Sequence, residues 1–233
     1  MHTHLIHGHS PIVLSVPHDG ATLLLGMPSR SMSKPRDLGT LPLAQTLRIA
    51  LQSLGLDASM IWLDLHRSLV DTNDEIHRRA YVSGLESEFD AYHDLLDQTI
   101  EDVLARNDRC FLLDIHRCDF PGGPDLILGS DEHRTSLRSF DKTLADHLRA
   151  TCSVAFSPDH ALGIDRRYRG GWIVRRAAKQ FGTQGLDAVQ LELNEPIWRP
   201  DRLHQVPRDL ALAVTQTILR PHLSTHNEKQ APL

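Results

Sequence analysis

The sequence predicts an α/β protein, a three-layer sandwich with helices on both faces of a mostly parallel or mixed central sheet. Two observations carry this expectation. Continuous apolar, β-branched runs recur along the chain, as strands covered on both faces require, and between them apolar residues repeat at a period near 3.6. Alternation of this kind is the mark of crossover units laid on one sheet.

The strand runs are PIVLSVP (11–17), ASMIWLDL (58–65), CFLLDIH (110–116), CSVAF (152–156) and DAVQLEL (187–193). The first helical stripe is Leu43, Leu47, Leu51 and Leu54, stopped by Gly55. Phe89, Tyr92, Leu96, Ile100 and Val103 form a second stripe, and Leu137, Phe140, Leu144 and Leu148 a third. Ile173, Ala177 and Phe181, closed by Gly182, form the fourth; Leu210, Val214, Thr217 and Ile218 form the fifth. His2, His4, His7 and His9 read as a solvated tail able to bind metal adventitiously.

With 233 residues and 40% hydrophobic content, the length fits one domain over residues 1–220, followed by a polar tail over 221–233. The balance of 25 basic against 30 acidic residues, a formal charge of −5, provides no basic field for nucleic acid or an anionic membrane. Three cysteines without a CxxC pair argue against a disulfide framework and fit a reducing cytoplasm. The N-terminus lacks the pattern of a secretory signal, and no apolar stretch approaches the roughly 20 residues of a membrane span.

Polar residues gather where the strands end, which in an open α/β sheet is where ligands bind. VPHDG follows the first strand, DLHRSLVDTND the second and DIHRCDFPGG the third. Alternation along a strand puts Asp114, His116 and, if the strand persists, Cys118 on one face. A carboxylate two residues from a histidine can orient its ring, as around zinc, or simply satisfy a core histidine. In DAVQLELNEP, Gln190, Glu192 and Asn194 alternate with apolar residues. A carboxylate on a central strand is expensive to desolvate unless it faces a polar cavity or metal, so Glu192 is a candidate general base; the alternative is an edge strand with a wet face.

Together these motifs resemble the N-formylglutamate amidohydrolase family of zinc carboxypeptidase-like hydrolases. The resemblance rests on Pro17-His18-Asp19-Gly20, Asp37, Arg67 with Asp71-Thr72-Asn73, Asp114-Ile115-His116, Gly170-Gly171 with Arg175, and Gln190-Leu191-Glu192. It departs from the family pattern at Asp74, where an Arg is usual, and at Arg117, where a Ser is usual. The resemblance implies a phosphorylase/hydrolase-like fold and a Zn²⁺ ion held by His18, Asp37 and His116 with a fourth position open for water. It leaves Asp19 as a fallback ligand, with Asp37 instead capping the helix that follows.

The implied chemistry is cleavage of an N-acyl amino acid by metal-activated water, with Glu192 as base and a cationic group at the oxyanion. The substrate is then a small carboxylated molecule. Arg67, with Asn73 beside it, is the first choice for its carboxylate, and Arg175, near Gly171, the second. Arg117 is expected on the opposite strand face. DRRYRGG (165–171) reads as a lid or as solvated arginines. Another metal-dependent amide or peptide hydrolase, and a non-catalytic domain that binds metal or a small acid, remain competing readings. No GxSxG, GxxxxGK[ST] or HExxH motif occurs.

Overall fold

The computed structural model describes residues 2–27, 35–152 and 162–219. Seven strands form one mixed sheet in the order β1-β3-β2-β4-β7-β5-β6. They are β1 (Thr3–Ile6), β2 (Ile12–Val16), β3 (Ser59–Leu63), β4 (Cys110–Arg117), β5 (Leu126–Gly129), β6 (Leu162–Ile164) and β7 (Leu186–Leu193). The central run β3-β2-β4-β7 is parallel, whereas β1 against β3 and β5 against β7 are antiparallel.

The helices are α1 (Thr40–Ser53), short α2 (His77–Ala80), α3 (Glu86–Arg106), α4 (Phe140–Thr151), α5 (Trp172–Phe181), short α6 (Pro200–Leu203) and α7 (Val206–Leu219). One face of the sheet packs α1, α4 and α7 against Leu14, Leu113 and Leu191. The other packs α3 and α5 against Val13, Leu112 and Ala188. Each fully buried Leu or Ile contributes about 1.5–3 kcal/mol, and these two apolar layers fix the register of the central strands. No helix among the described residues is long and apolar enough to cross a membrane.

On the α3/α5 face the lower half of the central strands is apolar and the upper half polar. Ser15 pairs with Asp114, Asp114 with Gln190, and His116 with Glu192. The change falls at the carboxyl ends of parallel strands, so the polar ends gather above the α3/α5 core.

Several expectations need correction. The histidine-rich N-terminus is not a solvated tail: residues 3–6 form edge strand β1, where His4 stacks on Trp62 and pairs with Asp64 at 2.7 Å. Leu137 lies before α4 and is exposed, and Leu54 follows α1. Strands β5 and β6 were not anticipated. Of the run 152–156, Cys152 ends α4 and the rest lies outside the described residues, as does the tail over 221–233.

Candidate metal centre and active site

Three segments bring His18, Asp37 and His116 together, the only such group of donors among the described residues that could hold a metal ion. His18 follows β2, His116 lies in β4, and Asp37 lies in the chain leading into α1. The turn after His18 requires Gly20, because a Cβ there would overlap the backbone of Asp64 and Leu65 at the end of β3. Asp37 is not the cap of α1. Gly39 takes the N-cap position with φ 95°, and Asp19 accepts hydrogen bonds from the Gly39 and Leu41 amides at 3.1 and 2.8 Å. Asp19 is committed further by Arg36 at 2.8 Å, which removes it as a fallback ligand.

The donor geometry suits a small tetrahedral cation. His18 Nδ1 lies 3.2 Å from His116 Nδ1, Asp37 Oδ2 lies 3.0 Å from His116 Nδ1, and His18 Nδ1 lies 3.5 Å from Asp37 Oδ2. Atoms bound to zinc at about 2.0–2.1 Å in a tetrahedral shell stand about 3.3 Å apart. The far nitrogens are both engaged by carboxylates, His18 Nε2 with Asp71 at 2.8 Å and His116 Nε2 with Asp114 at 2.9 Å. A carboxylate at Nε2 keeps the proton there and turns the Nδ1 lone pair inward, the second-layer arrangement around metal-binding histidines. Two imidazole nitrogens and a carboxylate oxygen converge on one buried point, where a cation could be held by all three.

The Asp114 carboxylate is itself buried and held. Ser15 Oγ donates to its Oδ1 at 2.6 Å and has no second proton, so the Tyr92 hydroxyl 2.8 Å away donates to Ser15. Burial and the Asp114 charge push the Tyr92 phenol well above its ordinary range, which keeps it a donor. Asp37 and His116 are mutually stabilised as ions. Burial would raise Asp37, but hydrogen bonds from His116 and His18 outweigh it and hold the carboxyl well below its usual value. Burial would depress His116, but Asp114 and Asp37 hold it well above.

Glu192 stands across the strand pairing from His116, 5% exposed on an interior strand. Gln190 donates to its Oε1 at 2.7 Å. Burial pushes Glu192 up to about 7, with His116 opposing and Asp37 and Asp114 adding to the shift. Glu192, Asp37 and His116 all line a cavity of about 430 Å³ that also takes in Arg67, Asn73 and Gly171. That volume suits a small-molecule ligand.

Arg67 bridges the two acidic groups beside the centre, Asp37 and Asp71, at 3.3 Å each. Asn73 reaches His116 Nε2 at 3.4 Å and accepts from the Ile173 amide at the start of α5 at 3.0 Å. Gly171 is tied to the Gln190 side chain, and any Cβ there would overlap the Asn73 amide. Arg175 is not brought into the cavity wall: its Nη2 lies 3.4 Å from Glu75, and its Nε 3.3 Å from the Gly171 carbonyl. Cys118 lines the cavity outside the donor group, and burial pushes its thiol far up, so it stays protonated.

The two family departures have structural roles here. Asp74 accepts from the Ile76 amide at 3.0 Å and from Arg79 at 3.1 Å, closing the turn into α2. Arg117 donates to the Leu38 carbonyl at 3.1 Å and lies 4.9 Å over Trp198. It still touches the cavity rim. Sequence reasoning did not foresee Asn194, whose side chain holds Phe120 and Pro124 and so shapes the loop after β4; an amide on a strand end was its only signal.

Fold and site together define a class: an α/β protein whose parallel strand ends carry a three-donor group that could hold a cation beside a buried carboxylate. The family model for N-formylglutamate amidohydrolase matches residues 74–198, and the chain belongs to this family of hydrolases acting on C–N amide bonds. Its fold is similar to that of N-formylglutamate amidohydrolase from Ralstonia eutropha JMP134, with a TM-score of 0.70 at 13% identity, covering 93% of this chain and 97% of that one. It is also similar to a gene product of Agrobacterium tumefaciens, with a TM-score of 0.66 at 17% identity over 93% of each chain. No match was found among curated protein sequences.

Proposed function

We propose that the protein is a zinc-dependent amidohydrolase that cleaves a carboxylated N-acyl amino acid, N-formylglutamate-like in chemistry. The observation that carries this reading is the convergence of His18, Asp37 and His116 on one point, with Asp37, His116 and the buried Glu192 lining one cavity. The donor set, two imidazoles each held by a further carboxylate and one carboxylate, fits zinc in an open catalytic site. Bound there, zinc supplies Lewis acidity, acidifying a water toward about 7 and polarising a carbonyl.

Glu192 takes the proton of the attacking water and returns it to the leaving nitrogen. Its position near 7 lets it do both at neutral pH. Arg67, braced by Asp37 and Asp71, presents positive charge to the carbonyl oxygen as that oxygen gains charge. Asp71 and Asp114 hold the imidazoles in one tautomer, and Asn73 with Gly171 shapes the wall where the substrate lies. The changes at Asp74 and Arg117 bear on which acyl group and amino acid enter.

The test is a screen of N-acyl amino acids and small peptides against zinc-loaded protein, with Glu192→Gln as control. Hydrolysis of at least one N-acyl amino acid that the variant fails to cleave is expected. Failure of the wild type on every amide, or equal turnover by the variant, overturns the reading.

A further inference from the structure

An acidic substrate needs a cation that is not already neutralised, and the guanidinium groups around the cavity are unequal in this respect. Arg67 is shared between Asp37 and Asp71. Arg169 is paired with Glu132 at 2.7 Å, and Arg175 with Glu75 outside the wall. Arg117 spends a donor on the Leu38 carbonyl. Arg167 lines the cavity with no carboxylate of the described residues within ion-pairing distance, although Asp119 shares the same wall.

Arg167 is also held in place. Its guanidinium carbon lies 5.7 Å from the Phe120 ring centre and 5.9 Å from that of Tyr168, and the two rings are 6.4 Å apart. Aromatic faces position a guanidinium without cancelling its charge or using up its hydrogen bonds. The loop bearing it is pinned at both ends. At one end the Asp165 carboxylate accepts from Ser130 N, Ser130 Oγ and Glu132 N at 2.6, 2.9 and 2.8 Å. At the other the Arg169 carbonyl accepts from the Asp131 amide at 2.6 Å, and Gly171 is tied to Gln190. A loop anchored in this way loses little freedom on binding, so its charge is available at low entropic cost.

From this arrangement we infer that Arg167 is the specificity residue that binds the substrate's free carboxylate, Arg67 being retained at the reacting carbonyl. The inference rests on the proposed function for the location of the scissile bond, and it names the substrate class as acids presenting a carboxylate beneath residues 165–171. It does not rest on the notion that any arginine near the cavity will serve, because Arg169 provides a control in the same wall.

The experiment measures binding rather than turnover, so that its failure is separate from that of the proposed function. Zinc-loaded wild type, Arg167→Met, Arg167→Lys and Arg169→Met are titrated calorimetrically with glutarate and with the uncharged glutaramide, after thermal melts establish that each variant is folded. Glutarate is expected to bind wild type and Arg169→Met, with affinity falling roughly tenfold or more in Arg167→Met, the scale of a lost charge-assisted hydrogen bond. Arg167→Lys is expected to fall between the two, and glutaramide to be insensitive to residue 167. Equal glutarate binding by wild type and Arg167→Met, no glutarate binding by wild type, or an equal loss in Arg169→Met overturns the inference.

Discussion

Glu192 and His116 are register partners across the parallel β4–β7 pairing, so the candidate base and a candidate metal ligand lie side by side on one face of the sheet. Their relative position is set by the backbone ladder, not by a loop. A one-residue slip of β7 would turn Glu192 into the apolar layer on the opposite side while His116 kept its place.

Glu192→Gln is nearly isosteric and preserves the polar face. It is expected to retain zinc while losing amide hydrolysis by about two orders of magnitude or more, the scale of a removed general base. Metal content and turnover measured on one preparation check this, and loss of both together would make Glu192 a structural group.

His18→Ala and His116→Ala each remove one of three donors. Wild type is expected to carry about one zinc per chain and each variant far less, as read by elemental analysis after dialysis. Unchanged metal in both would abolish the centre.

Asp114→Asn keeps the shape of the buried group but removes the charge that orients His116. A loss in zinc affinity of about 10- to 100-fold is expected, by competition with a chromophoric chelator. Because Ser15 and Tyr92 sit behind Asp114, Ser15→Ala is expected to act in the same direction with a smaller effect.

The metal-free protein is expected to lose stability as pH rises from about 4.5 through about 7 and above. His116 has a folded value above 6.5, so its stabilisation is complete below 6.5 and disappears as pH climbs through the raised value. Glu192, raised from 4.5 to about 7, binds its proton more tightly when folded, so the chain loses stability between those values too. Asp37, held below 3.8, has an effect only under more acid conditions. Zinc requires deprotonated ligands, so its stabilisation grows over the same range. Melts with and without zinc are expected to diverge with pH; parallel curves would contradict the coupling.

Gly171→Ala puts a methyl group into the Asn73 amide. A destabilisation of about 1–3 kcal/mol from overpacking is expected, with a drop in activity larger than that in Gly182→Ala, whose Cβ would meet nothing nearer than the Leu137 side chain at 3.4 Å. Denaturant melts and kcat/KM of the pair check this.

The central strands were legible because a parallel strand covered on both sides is a continuous apolar run, and Ile12–Val16 and Leu186–Leu193 are of that kind. Residues 3–6 were not legible. Their histidines look solvated until Trp62 and Asp64 on β3 supply a stacking ring and a carboxylate. Strands β5 and β6 have four and three residues, too few to show a period. At the site, His18, His116 and Glu192 were readable from strand alternation and turn residues. The capping role of Asp19 was not, because a side chain that caps a helix about 20 residues away leaves no local signature, and Asp37 was reached only through the family resemblance. That Arg169 and Arg175 are paired depends on Glu132 and Glu75, which only the folded chain brings near.

Two donors of the candidate metal centre come from neighbouring central strands or their ends, whereas Asp37 arrives with the entry to α1, fastened by Asp19. Zinc affinity therefore gauges tertiary completeness: a chain with its sheet assembled and α1 undocked offers the ion two ligands in place of three. Substitutions that loosen α1, far from any substrate, would then surface first as a demand for more metal.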